Sequence, residues 1–272
     1  MKLKVPAGAT DTHMHIYERS AAATAKGTFM PGHFAVEDYR AMQKRLGLER
    51  VIVVQPNAYG DDNQVTLQAI KKLGKGAKGV AVVKPGVSDA ELERLTKAGM
   101  CALRIMTLHG GTLGFEVMDE LMARAHRFGW HANIQLDGRE LPKHEAQIKR
   151  LPGRFVIDHT GKFLEPVGTD HEAFKSLLRL VDTKRCWVKL SAPYETSKSG
   201  APKYADVGRL ARALVKHAPE RMLWASNWPH PSAREPAPPD DAALLELLLD
   251  WAPEEKARHK ILVDNPAELY GF

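Results

Sequence analysis

The sequence predicts an α/β fold, a (β/α)8 TIM barrel that forms a single domain. Two observations lead to this prediction: eight short, largely apolar runs recur along the 272-residue chain, and stretches with helical periodicity lie between them. No Pro/Ser-rich linker or low-complexity tract divides the chain, and barrels of this kind run to this length as one domain. We therefore expect one domain over residues 1–272.

The eight predicted strands are short and apolar on both faces. This pattern is typical of parallel strands that are covered by helices outside and by each other inside a barrel. The runs are residues 9–15, 51–55, 80–83, 102–106, 131–135, 155–158, 187–191 and 223–226.

Helical periodicity fills the segments between the strands. Residues 36–46, 65–73, 92–98 and 115–128 are each followed by a glycine, the usual left-handed stop of a helix. Ser88 and Glu91 form an S-x-x-E capping box before the third of these helices. Later helices are predicted at residues 171–180, 205–216 and 242–251, and the Pro-rich residues 229–239 are predicted as a loop on the rim after strand eight.

The composition excludes several classes of function. The chain holds 39 Lys and Arg against 33 Asp and Glu, a net charge of +6 with His neutral. The basic residues are scattered among acidic ones, so we expect no nucleic-acid partner, and the mild positive field suits a small anionic substrate. The apolar runs are shorter than the roughly 20 residues of a membrane span, so we expect no membrane partner.

Cysteine usage and the first residues of the chain indicate a compartment. Cys101 and Cys186 are far apart in the sequence and are expected to be reduced thiols rather than a disulfide. No apolar stretch of signal-peptide length precedes the His-rich residues 11–15. We expect a cytoplasmic protein.

Polar side chains cluster at the predicted C-terminal ends of the strands, where TIM barrels carry their active sites. With a period of two, His13 and His15 point to the same side of strand one, and His131 lies deeper on the face of strand five that carries Asn133 and Gln135. The candidate site residues are His13, His15, Gln55, Asn57, Arg104, Asn133, Gln135, Asp158, His159, Ser191, Tyr194, Asn227 and His230.

Each of these residues also has a purely structural interpretation. A lone His is often a hydrogen-bonded core residue, Arg104 can pair with a glutamate, Asp158 can cap the loop that follows it, and Asn227 can be a turn residue before Pro229. The functional interpretation depends on their coincidence at one barrel level, because buried polar groups cost free energy unless a site needs them.

Four strand-end motifs and the C-terminal segment together resemble a known family. They are D-x-H-x-H at residues 11–15, V-I-D-H-x-G-K at 156–162, K-L-S-A-P-Y at 189–194, W-A-S-N-W-P-H at 224–230 and D-N-P-A-E-L-Y-G-F at 264–272. The chain from residue 11 to 272 resembles the amidohydrolase superfamily. Within it, the motifs are similar to the metal-independent branch that contains 2-pyrone-4,6-dicarboxylate lactonase and D-galactarolactone isomerase.

The resemblance implies an enzyme without a metal or other cofactor. Metal-dependent members of the superfamily place an Asp at the end of strand eight, where this sequence has Asn227, and strand five ends here in Gln135 rather than His. Neutral amides are poor zinc ligands. A metal-dependent amidohydrolase stays open as an alternative, because His13, His15 and His159 are able to hold zinc without Asn227.

The resemblance also implies chemistry on a lactone. Asn227 accepts no proton at neutral pH, which favours a substrate with its own nucleophilic hydroxyl, and such intramolecular attack has effective molarities of about 10⁵–10⁸ M. We therefore expect isomerisation of a sugar-diacid lactone, of the D-galactaro-1,5-lactone to 1,4-lactone type, in galactarate and hexuronate breakdown. The alternative is a lactonase that hydrolyses a dicarboxylate lactone such as 2-pyrone-4,6-dicarboxylate, with a base such as Asp158.

Roles follow from this expectation. His13, His15 and His159 are expected to act as hydrogen-bond donors and proton shuttles beside Asn227. Arg104 is expected to bind the free carboxylate through a two-point contact. Neutral or polar contacts to the substrate are expected from Gln55, Asn57, Asn133, Gln135, Asp158, Ser191, Tyr194 and His230.

Overall fold

The computed structural model describes residues 1–19, 21, 30–232 and 238–272. Eight parallel strands form one sheet in chain order, each hydrogen-bonded to the next. This confirms the predicted single-domain (β/α)8 barrel. The strands are β1 (Thr10–Met14), β2 (Arg50–Val54), β3 (Ala77–Ala81), β4 (Met100–Met106), β5 (His131–Gln135), β6 (Phe155–Ile157), β7 (Cys186–Leu190) and β8 (Met222–Trp224).

The two edge strands approach each other and close the barrel. The backbone N–H of His15 donates to the Trp228 carbonyl at 2.8 Å, and the N–H of Asn227 donates to the His13 carbonyl at 2.9 Å. The Thr12 hydroxyl adds a bond to the Trp224 carbonyl at 2.9 Å. The segment that follows β8 is therefore held against β1, next to the two histidines of that strand.

Helices cover the outside of the barrel. They are α1 (Val36–Leu46), α2 (Gln64–Leu73), α3 (Asp89–Lys97), α4 (Phe115–Ala125), α5 (Leu141–Arg150), α6 (Glu172–Val181), α7 (Ala205–His217), α8 (Asp241–Glu246), α9 (Leu248–Trp251), α10 (Glu255–His259) and α11 (Asn265–Tyr270). Within the described residues, no helix combines the length and apolar character that a membrane crossing requires.

Helices α5 and α10 have no counterpart among the predicted helices, and α11 lies within the C-terminal motif at residues 264–272. Helices α8 and α9 were predicted as one. Helix α5 buries Leu141 and Ile148 as its only fully covered residues, so its apolar pattern is too sparse to detect. The helix predicted at residues 242–251 is two short helices, α8 and α9, which meet at Leu247. Strand β3 begins at Ala77 rather than at residue 80, because Ala77 pairs with Val51 of β2.

Local signals were more reliable at helix ends. Gly47 ends α1 in the left-handed conformation with φ of 75°, and Ser88 caps α3 by accepting from the Glu91 N–H at 3.1 Å. Cys101 and Cys186 are both free thiols. Of the predicted loop at residues 229–239, residues 233–237 lie outside the described residues.

The barrel interior is apolar below and polar above. Its lower part is a cluster that includes Ile52, Val156 and Trp187, closed from beneath by Tyr270 near the C-terminus. His131 belongs to this floor, with its ring 5.3 Å from that of Tyr270, and burial lowers its pKa to about 3. The polar side chains of the strand ends are therefore concentrated at the open end of the barrel.

A buried carboxylate joins the first strand to the last. Asp11 accepts four hydrogen bonds: from the backbone N–H of Ser226 at 2.9 Å, its hydroxyl at 2.6 Å, the N–H of His13 at 3.2 Å and the Tyr39 hydroxyl at 3.1 Å. Asp11 is fully buried. Because these donors come from β1, α1 and the segment after β8, the carboxylate holds the three together.

We predict a graded loss of stability when this carboxylate network is cut. Tyr39→Phe removes one of the donors and should lower the free energy of unfolding by about 1 kcal/mol, whereas Asp11→Ala leaves several buried donors unpaired and should cost about 3 kcal/mol or more. Chemical denaturation measures both. Tyr204→Phe is the control, because the Tyr204 hydroxyl has no hydrogen bond among the described residues. Equal effects of all three changes would contradict the role of Asp11.

Candidate active site

A cavity of about 230 Å³ opens at the C-terminal ends of the strands. Six of the sequence-predicted site residues line it: His15, Asn57, Arg104, Gln135, His159 and Asn227. The remaining ones, which lie beneath or behind its wall, are His13, Gln55, Asn133, Asp158, Ser191, Tyr194 and His230.

Arg104 is a fixed cation on one wall of the cavity. Its Nη1 donates to the Gln55 carbonyl at 2.6 Å and to Asn57 Oδ1 at 3.1 Å, and its Nη2 donates to Gln135 Oε1 at 3.2 Å. The other Nη2 hydrogen has no partner among the described residues, and Nε is buried without one. No described carboxylate lies within ion-pair distance of Arg104, in contrast to the structural interpretation as a partner of a glutamate.

Gln55 has a different place from the one expected. Its side-chain amide donates to the carbonyls of Gly60 and Asp62 and accepts from the Thr66 hydroxyl at 2.6 Å. The side chain is therefore used within the β2–α2 connection, and only the Gln55 backbone carbonyl takes part in the site, by holding Arg104.

A lysine lies fully buried beneath the cavity. Lys189 Nζ donates to Asn133 Oδ1 at 2.7 Å and to His13 Nδ1 at 3.2 Å, and it lies 3.1 Å from Asp158 Oδ1. Burial opposes ionisation of Asp158, but the Lys189 ammonium group beside it holds the pKa of this carboxyl well below its ordinary value. Asp158 is thus the counter-ion of a buried ammonium group.

The hydrogen bonds of the β1 histidines determine which ring nitrogens carry hydrogen. Burial lowers the pKa of both His13 and His15 well below 6.5, so both rings are neutral. His15 Nδ1 lies 2.8 Å from the Val54 carbonyl, which only accepts, so the hydrogen is on Nδ1. His15 Nε2 then accepts from His13 Nε2 at 3.2 Å, and His13 Nδ1 accepts from Lys189. All four ring nitrogens of His13 and His15 therefore take part in hydrogen bonds.

His159 differs because one of its nitrogens is free toward the cavity. Its Nδ1 lies 2.8 Å from the Ser191 hydroxyl, and its Nε2 has no hydrogen-bond partner among the described residues. Burial lowers the pKa of His159 to about 4, an effect that Glu195 opposes. His159 and Lys162 belong to a left-handed turn with φ of 52° and 45°, which brings both side chains to the cavity directly after β6.

Asn227 presents a carbonyl oxygen rather than a carboxylate. Its Nδ2 donates one hydrogen to the Tyr194 hydroxyl at 2.9 Å and the other to Glu195 Oε1 at 3.2 Å. Tyr194 pairs with His230 Nδ1 at 2.9 Å, and His230 Nε2 lies 3.1 Å from Asp241 Oδ1. Both amide hydrogens are thus committed, and Oδ1 is the group of Asn227 left to accept a hydrogen bond. Its φ of 58° also makes Asn227 the turn residue that the sequence allowed.

Sequence reasoning missed an ion pair in the cavity wall. Lys162 and Glu195 form a salt bridge in which their side chains are 9% and 5% exposed. Although burial opposes it, Lys162 lowers the pKa of Glu195 to about 2. One signal in the sequence was available for this pair, since Glu195 directly follows the candidate Tyr194. The buried Lys189 was also missed, and its signal was a charged residue inside an apolar strand. Other lining residues outside the candidate set are Tyr17, Pro56, Met106, His109, Pro231 and Ser232.

The donor set does not fit a divalent metal as it is arranged. Ligand atoms of His13, Asp158 and His159 lie within 4.8 Å of one another. However, the Lys189 ammonium group contacts both His13 Nδ1 and Asp158, so a second cation would face direct repulsion and the loss of these ligand atoms. No step is therefore assigned to a metal.

Comparisons with known proteins identify the family of this chain. The profile of the Amidohydrolase family matches residues 10–272. D-galactarolactone isomerase of Agrobacterium fabrum strain C58 is 40% identical over 268 residues, which cover 97% of this chain and 91% of the relative. The 2-pyrone-4,6-dicarboxylate hydrolase of Comamonas testosteroni is 35% identical, over 99% and 92% of the two chains.

A solved structure shows the same arrangement of the backbone. The apo crystal structure of an Agrobacterium tumefaciens protein superposes with a TM-score of 0.93 at 39% identity, covering 98% of this chain and 97% of the other. The family profile and the two relatives each extend over nearly all of the chain. The chain therefore belongs to the amidohydrolase family.

Proposed function

We propose that this protein is a lactone isomerase that moves the ester bond within a sugar-diacid lactone, as in the conversion of D-galactaro-1,5-lactone to the 1,4-lactone. The name of the 40% identical relative supports this substrate. The observation that carries the proposal is the neutral Asn227 at the end of the β8 segment, with both amide hydrogens committed.

This arrangement disfavours the activation of water. Asn227 Oδ1 is able to orient a hydroxyl group but does not remove its proton. Glu195 is the one carboxylate among the described lining residues, and its pKa of about 2 makes it a weak base. A substrate that supplies its own hydroxyl needs less activation, because the attack is intramolecular.

The proposed reaction begins with binding of the anion. The free carboxylate of the lactone pairs with Arg104 and accepts its remaining Nη2 hydrogen, a charge-assisted bond that orients the anion. The C4 hydroxyl donates to His159 Nε2, and Asn227 Oδ1 accepts from a neighbouring hydroxyl group of the lactone. The C4 oxygen is then directed at the lactone carbonyl carbon, C1.

A single proton shuttle completes the isomerisation. His159 Nε2 removes the proton of the C4 hydroxyl as the C1–O4 bond forms, and the carbonyl oxygen becomes an oxyanion beside the imidazolium and Lys162. The C1–O5 bond then breaks, and His159 returns the proton to O5. No water is consumed and no acid is released. Glu195 favours the transient imidazolium, in the same sense in which it opposes the lowered pKa of His159.

Hydrolysis of a dicarboxylate lactone is the second candidate function, favoured by the 35% identical pyrone-dicarboxylate hydrolase. The base expected for this reaction, Asp158, is fully buried beneath the cavity and paired with Lys189. Its lowered pKa makes it a poor proton acceptor. The contacts of Asp158 therefore favour isomerisation of the lactone over its hydrolysis.

The deciding experiment follows D-galactaro-1,5-lactone by NMR with enzyme dialysed against a chelator. We expect the 1,4-lactone as product, without release of acid, at the same rate before and after chelation. Open-chain diacid as the main product would replace the isomerase by the hydrolase. Loss of activity on chelation with recovery on adding zinc would overturn the metal-free mechanism.

The anion site is tested by Arg104→Lys. An ammonium group cannot reproduce the planar guanidinium group or hold Asn57 and Gln135 together, so we expect KM to rise about 10- to 100-fold. Steady-state kinetics with the same lactone measure this change. Arg94→Lys, which alters an exposed partner of Glu91 on α3, is the matched control and should leave KM unchanged. An equal KM for Arg104→Lys and wild type would exclude Arg104 from carboxylate binding.

The proton shuttle is tested through pH and His159→Gln. Because the pKa of His159 is lowered to about 4, the ring is neutral above this pH and able to accept a proton. We expect kcat/KM to be level near neutral pH and to fall as pH drops through about 4. His159→Gln should lower kcat by about 10²–10⁴-fold, with binding of the non-reactive D-galactonate retained in calorimetry. A full kcat in this variant would assign the shuttle to another group.

A further inference from the structure

We infer that Glu195 and Lys162 select lactones that carry one negative charge and reject those that carry two. This inference rests on the proposed function and names the substrate class of the same site. It assigns to this ion pair a specificity-determining role in addition to the parts that Lys162 and Glu195 play in the isomerisation step.

The pair is built into the wall rather than placed on the surface. Both side chains are at least nine-tenths buried and line the cavity. Glu195 Oε2 pairs with Lys162, and Oε1 accepts from Asn227 Nδ2 at 3.2 Å. The Ser232 side chain also hydrogen-bonds to the carboxylate. Glu195 is therefore held in place by three residues, and it keeps lone pairs that can accept hydrogen bonds from a ligand.

Among the described residues, the charges in and below the cavity leave one cation without a partner. Lys162 is neutralised by Glu195, and Lys189 is neutralised by Asp158. Arg104 lines the cavity without a carboxylate partner among the described residues. Because the buried rings of His13, His15 and His159 are neutral, these groups together suit one negative charge on the ligand.

A second anionic group on the ligand would meet Glu195. In a buried wall, the repulsion between two carboxylates is screened less than in water, so the contact is costly. A hydroxyl group at the same place donates to the carboxylate instead. The pair therefore favours a polyhydroxylated lactone with a single carboxylate over a lactone such as pyrone dicarboxylate, which has two carboxylates and no ring hydroxyl.

Two acyclic acids with the same carbon chain test this selection without turnover. D-galactonate has one carboxylate, and galactarate has a second carboxylate in place of a terminal hydroxymethyl group. We expect wild type to bind D-galactonate about tenfold or more tightly than galactarate in isothermal titration calorimetry. Tighter binding of galactarate would overturn the inference.

A charge series on the pair gives effects of opposite sign. Glu195→Gln frees the Lys162 ammonium group and should raise the affinity for galactarate relative to D-galactonate by about tenfold. Lys162→Met leaves Glu195 unpaired and should lower this ratio further than in wild type. The double variant removes both charges and should give a ratio between those of the two single variants. Simple loss of structure does not produce this reversal of sign.

The control is Glu91→Gln, which changes an exposed Glu–Arg pair on α3 and should leave the ratio unchanged. A ratio that stays constant across the Glu195 and Lys162 variants would overturn the inference, even if the wild type isomerises the lactone. Conversely, a wild type that hydrolyses the lactone while the ratios follow the predicted order would overturn the proposed function alone and support the charge selection.

Discussion

Beneath the cavity, the Lys189 ammonium group lies fully buried against Asp158, Asn133 and His13, and the polar half of the barrel depends on it. An unpaired ammonium at this depth would be costly, and the three partners compensate it. Because Lys189 donates to His13 Nδ1, the hydrogen of His13 is directed from Nε2 toward His15. One buried charge thus determines which nitrogens of two neighbouring rings carry hydrogen. The same ammonium group contacts His13 and Asp158, whose ligand atoms would otherwise be able to bind a metal cation.

The upper part of the site follows the same rule of compensation. Lys162 is matched by Glu195, and the amide of Asn227 is oriented by Glu195 and Tyr194. His159 Nε2 and one Nη2 hydrogen of Arg104 are left without partners among the described residues. A site in which most polar groups are satisfied internally leaves these few groups to act on a ligand, which is the preorganisation that catalysis requires.

Much of the site could be predicted from the residues at the strand ends. His15, Arg104, His159 and Asn227 were predicted because polar residues at the ends of apolar strands are unusual, and they do line the cavity. Gln55 was assigned to the cavity for the same reason, yet its side chain serves a loop, since the choice of partner depends on residues Gly60 and Asp62 that a strand pattern does not place. Helix α5 was missed because two buried residues give no detectable periodicity.

The sequence by itself determined the barrel, its strand order and the level at which chemistry occurs, because alternating strands and helices of this length close in only a few ways. It also determined that a neutral Asn227 stands at the end of the β8 segment. Only the tertiary structure decided how the charges are paired. Lys162 meets Glu195, and Lys189 meets Asp158, across different strands, and local patterns carry no information about such contacts. The number of unpaired charges in a pocket depends on such pairs between residues far apart in the sequence. The fold therefore decides which ligand charge the pocket favours.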